Sequence, residues 1–95
     1  MSKPAKLAYV DPGSLGIDEP FPEVFAQFLA DRLQAAHPKL AVEVEIGHGR
    51  DDFDRDETQD IWDEYCSLPR KAYAALANRV LRGDRKKAYL RGIAG

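Results

Sequence analysis

The chain has 95 residues, 44% of them hydrophobic, one cysteine and a formal net charge of −2, which bounds it to one domain, 1–95, burying roughly 60–65% of its unfolded surface. A lone Cys66 excludes an internal disulfide and a cysteine-rich zinc site, and no apolar run approaches the ~18 residues that a bilayer span needs. The small total charge hides two opposed regions: residues 43–64 carry ten acidic and two basic groups, a net of −8, and residues 67–95 carry eight basic groups and one acidic, a net of +7.

Leu7, Ala8, Tyr9 and Val10 predict a short first strand over Lys6–Val10. Asp11-Pro12-Gly13-Ser14 then reads as a turn, since proline presets φ and glycine tolerates positive φ, with a loop continuing to about Pro20. Pro22 suits the first turn of a helix, where its missing N–H is not needed, and Glu23 suits the positive end of the helix dipole. From Pro22 to Ala36 the residues Val24, Phe25, Phe28, Leu29, Leu33 and Ala36 recur at helical spacing as one apolar stripe. His37-Pro38 ends that helix.

Leu40–Ile46 alternates cleanly. Leu40, Val42, Val44 and Ile46 are expected on one face and Ala41, Glu43 and Glu45 on the other, which predicts a strand in a sheet covered on one side only. Gly47-His48-Gly49-Arg50 breaks the pattern. Two overlapping caps, Asp54 with Glu57 or Asp56 with Gln59, predict the start of a second helix, with Ile61, Tyr65 and Leu68 on its buried face. Pro69 either kinks this helix or begins another with Ser67 as its cap. Ala72, Tyr73, Leu76 and Val80 continue an apolar stripe to a stop at Gly83. The tail from Arg85 fits an edge strand, a short helix or a disordered arm, and residues 1–5 and 85–95 are the candidates for flexible ends. The order is that of a small two-layer α/β (α+β) domain, β-α-β-α-α with a short C-terminal strand as an option, and helices on one face of a small sheet. Two strands alone make a weak sheet, so the edge also invites a strand from the tail or from a second copy, a route to a homodimer.

No motif fixes a reaction, so function is read from charge. At ~100° per residue, Asp56, Asp60 and Asp63 fall on the side of their helix away from Ile61 and Tyr65, and Glu64 widens the row. With Asp51, Asp52 and Asp54 on the connector, these residues form a candidate docking face for a basic partner protein, and Trp62 at its border is the candidate anchor. The expected protein is a non-enzymatic cytoplasmic interaction module without a cofactor or a membrane, and an inhibitor that mimics nucleic acid is one form it could take. The start of the chain carries no long apolar stretch, so no secretory signal is expected. A solvated helix with an acidic first turn would produce the same row.

Two alternatives are weaker. Arg79, Arg82, Arg85, Lys86, Lys87 and Arg91, with Tyr73 and Tyr89 among them, could hold phosphates and stack on bases of a nucleic acid. His48 and the aspartates near it could serve a small enzyme or a metal site. Asp52, Asp54, Asp56, Thr58, Asp60 and Asp63 follow the spacing of a calcium loop, but Glu57 stands where the tight turn needs glycine and Asp63 where a longer glutamate belongs. Cys66 is expected to be a small packing residue rather than a thiolate nucleophile.

Overall fold

The computed structural model describes residues 4–11 and 21–94, with side chains to residue 92. The element order is β1 (Ala5–Val10), α1 (Pro22–Ala36), β2 (Ala41–Ile46), α2 (Arg55–Cys66), α3 (Arg70–Val80) and α4 (Gly83–Ala94). The turn and loop expected over 12–20 lie outside the described residues. The domain is a small α/β unit. β1 and β2 form a parallel pair with Ala5 beside Ala41 and Val10 beside Ile46. α1 packs on this sheet, α2 and α3 pack on α1, and α4 packs on α3. Among the described residues no helix is long and apolar enough to cross a membrane.

The register decides what each face does. Parallel partners point the same way, so Ala8 and Val10 share a face with Val44 and Ile46, and Leu7 and Tyr9 share the other with Glu43 and Glu45. Ala8 and Val10 are buried under α1, whose Val24, Phe25, Phe28, Leu29 and Leu33 are buried as well. Two residues depart from the expected apolar stripes. Ala36 is exposed in the last turn of α1, and Ile46 is 45% exposed at the end of β2.

α2 begins at the first of the two caps: the Asp54 carboxylate accepts from the Asp56 N–H at 3.0 Å. Glu57 does not reach back to close a capping box, because it pairs with His37 at 2.7 Å. α2 stops at Cys66, where the Ser67 hydroxyl donates to the Asp63 carbonyl at 3.1 Å. Pro69 therefore starts a new helix as its N-cap residue, without a side-chain cap, and Ser67 serves the end of α2 rather than the start of α3.

The tail takes one of its three expected forms, a helix. α3 ends at Val80, and Gly83 turns the chain with φ +61 into a further helix, a backbone angle that suits glycine. Residues 83–94 are thus helical, neither an edge strand nor an arm. Leu81 and Tyr89 are buried, and Tyr89 meets Phe21 edge to face at 5.2 Å between ring centroids. This long-range contact gives the tail helix an apolar side that its own sequence hardly displays.

Leu33, in the C-terminal part of α1, is fully buried. Leu33→Ala is expected to cost about 2–5 kcal/mol through lost transfer energy and a residual cavity, readable as a fall in the urea midpoint with an unchanged slope.

Candidate functional site

A parallel two-stranded sheet leaves backbone groups exposed along both outer edges. The connector after β2 closes one of them. It crosses back to β1, where the Asp51 carboxylate accepts from the Tyr9 N–H at 2.6 Å and the Asp52 carboxylate accepts from the Leu7 N–H at 2.8 Å. The Asp52 N–H in turn donates to the Leu7 carbonyl at 2.9 Å. Two carboxylates and one amide so occupy the place of a third strand. Gly49 permits the approach, because a Cβ there would collide with the Tyr9 ring. Phe53 then turns inward, 8% exposed, between the Lys6 ammonium and the His37 ring.

These bonds sort the expected docking residues. Asp51 and Asp52 hold the sheet edge and Asp54 caps α2, so each already has one carboxylate oxygen engaged. Asp56, Asp60 and Asp63 stand exposed on the outer side of α2. Asp63 accepts from the Gln59 amide at 3.2 Å. No cation among the described residues forms an ion pair with Asp56, Asp60 or Asp63. Glu64 is paired with Arg32 at 2.7 Å.

The basic region turns elsewhere. Arg79 pairs with Asp31 of α1 at 2.6 Å, and Arg85 pairs with Glu23 of α1 while lying over the Phe21 ring. Arg82 donates to the Asn78 and Leu81 carbonyls. Lys87 and Arg91 are exposed and Lys86 is half-buried. The tyrosines expected to stack on bases are not presented for it: Tyr89 is buried, and the half-buried Tyr73 donates its hydroxyl to the Tyr65 carbonyl. The basic patch is therefore divided: Arg79 and Arg85 hold ion pairs to α1 and Arg82 meets backbone carbonyls, while all three residues stay exposed.

Beside the α2 face lies a cavity of about 410 Å³ walled by Tyr9, Phe25, Phe53 and Trp62, with Asp11, Asp51 and Arg55 among its polar groups. Trp62 is half-buried, meeting Phe25 edge to face at 4.8 Å and stacking on Tyr65 at 5.4 Å. It is both a wall of the core and a rim of the cavity. Sequence reasoning singled out Trp62 but not Tyr9 or Phe53. A single aromatic inside Asp51-Asp52-Phe53-Asp54 is the signal that could have marked Phe53.

His48 pairs with Asp11 at 2.8 Å where both strands end. Among the described residues no group of three or more His, Cys, Asp and Glu side chains comes together as a metal site. The calcium-like spacing fails for a physical reason: Asp52 is tied to β1, Asp54 to the α2 cap, and Asp56, Asp60 and Asp63 lie on a helix rather than around a loop. Cys66 is exposed at the end of α2 rather than packed.

The two classes of aspartate should separate in stability measurements. Asp51→Ala with Asp52→Ala is expected to cost roughly 1–3 kcal/mol, since each removes a charge-assisted bond to a strand amide. Asp56→Asn with Asp60→Asn should stay within about 0.5 kcal/mol of the parent. Urea unfolding of the two variants checks both. Comparison with known protein families, curated proteins and solved structures found no match for this chain.

Proposed function

We propose that this chain is a non-enzymatic interaction module whose acidic α2 face docks on a basic surface of another protein in the cytoplasm. The observation that carries this reading is the sorting of ion pairs. Arg79 and Arg85 are paired with α1, and Asp56, Asp60 and Asp63 are left without an ion pair among the described residues. Unneutralised carboxylates in a row raise the local negative potential and speed encounter with a positive partner. Their rise along α2, about 4–6 Å between successive members, offers a partner a line of anionic charge. A surface built to hold nucleic-acid phosphates is the kind that such a line would occupy, and the module would then act as an inhibitor.

The cavity supplies an anchor. A lysine or arginine of the partner that enters it would find Trp62, Tyr9 and Phe25 as aromatic walls and the carboxylates of Asp11 and Asp51 nearby, an arrangement that favours a desolvated cation. Arg55 in the same lining disfavours it, so the anchor would seat on the side of the two aspartates. Hot spots of this kind sit in aromatic pockets ringed by polar contacts.

The test uses the immobilised full chain to capture proteins from the source cell. The captured partner should elute as salt rises, compete with added DNA or RNA for release, and fail to bind Asp56→Asn/Asp60→Asn/Asp63→Asn, a variant that keeps its melting temperature. Capture of the same partner by that variant, or direct binding of labelled nucleic acid by the chain at physiological salt, would contradict the reading.

A further inference from the structure

The second edge of the sheet has a different fate from the first. In β2 the Ala41 N–H donates to the Pro4 carbonyl and, just past the strand, the Gly47 N–H donates to the Val10 carbonyl. Odd-numbered amides of β2 thus face β1, and by strand alternation Val42, Val44 and Ile46 direct their N–H and C=O groups outward. The Val42 N–H is taken by the Gln34 side chain at 3.2 Å. Among the described residues nothing accepts from Val44 or Ile46, and β2 has no second strand neighbour. Ile46 is also the exposed large hydrophobic of the described chain. An open edge with a free apolar residue is a template for an added strand.

The charges beside that edge select its occupant. Glu43 and Glu45 are exposed on the outer face of β2. A second copy pairing its β2 antiparallel across a two-fold at Val44 would set Glu43 directly opposite Glu45 at the closest cross-strand spacing, which like charges disfavour. A strand with lysine or arginine at alternate positions would instead lay a cation against each glutamate, and its intervening apolar residues would extend the Val44 and Ile46 face. The same two side chains oppose self-association and favour a basic guest, which is how specificity arises from a difference of affinities.

We propose that the open edge of β2 is a docking surface for an extended basic segment of a partner protein, which adds to the sheet as a strand. This edge lies across β2 from β1 and the connector, so the proposal stands whether or not the α2 face binds anything.

The probe is a short labelled peptide of alternating lysine and valine, titrated into the full chain by fluorescence anisotropy and by amide NMR. Binding should shift the Val44 and Ile46 amides and slow their exchange with solvent. Glu43→Gln with Glu45→Gln should weaken the peptide roughly tenfold at low salt. Val44→Pro should abolish binding and retain the fold, because the lost N–H is not part of the β1–β2 ladder. If that variant unfolds, the double glutamine variant carries the test. Asp56→Asn/Asp60→Asn/Asp63→Asn should leave the peptide affinity within about twofold, which separates this edge from the α2 face. The proposal is overturned if the peptide does not bind, if α2 amides move and those of Val44 and Ile46 do not, or if a glutamate-valine peptide binds equally well. It is also overturned if these two amides become protected with rising protein concentration alone, since a second copy then holds the edge.

Discussion

The bonds from Asp51 and Asp52 to the amides of Tyr9 and Leu7 are the constraint on which the rest of the structure depends. Two parallel strands and one covering helix make a marginal sheet, and a loose connector would leave β1 with a bare edge as well as β2. By returning to β1, the connector supplies partners for the Leu7 and Tyr9 amides and the Leu7 carbonyl and fixes where α2 starts. Asp54 follows at once as the helix cap, and Phe53 enters the core between Lys6 and His37. The direction of α2, the outward set of its aspartates and the seat of Trp62 on the cavity all follow from this short stretch. Acidic residues thus serve two purposes within a few positions of one another: some close backbone groups, and the next ones face solvent.

α1 acts as the divider between the charged regions. It takes Arg79 through Asp31 and Arg85 through Glu23 on behalf of the basic helices, and it contributes Arg32 to Glu64 at the far end of α2. The acidic and basic segments therefore do not cancel each other directly. Exposed ion pairs of this type contribute little to stability, typically below about 1 kcal/mol. Their consequence is instead a surface on which Asp56, Asp60 and Asp63 of α2 carry no ion pair among the described residues, while Arg79 and Arg85 of the basic helices are paired with α1. That asymmetry is the physical content of the proposed docking role.

Much of the fold was legible in the sequence. Pro22, the Val24-to-Leu33 stripe and His37-Pro38 delimit α1, and the alternation of valines and glutamates gives β2. What stayed hidden depends on contacts far apart in the chain. Asp51 and Asp52 meet amides more than forty positions away, and nothing local distinguishes an aspartate that completes a sheet from one that waits in solvent. The tail was ambiguous because its burial comes from Tyr89 against Phe21 and from Leu81, not from a strong stripe of its own. Ile46 satisfied the strand alternation yet lies exposed, because the pattern assigns a face but does not say how far α1 extends over it. The docking residues were legible as a group and not individually, since charge count alone cannot tell which oxygens already hold a hydrogen.

The most direct measurement is residue-resolved amide hydrogen exchange on the free, dilute protein. Closure of one edge by carboxylates and openness of the other predict slow exchange at Leu7 and Tyr9 and fast exchange at Val44 and Ile46. Fast exchange at Leu7 and Tyr9 would mean that the connector does not hold β1, and the arrangement of α2, its acidic face and its cavity would lose its foundation.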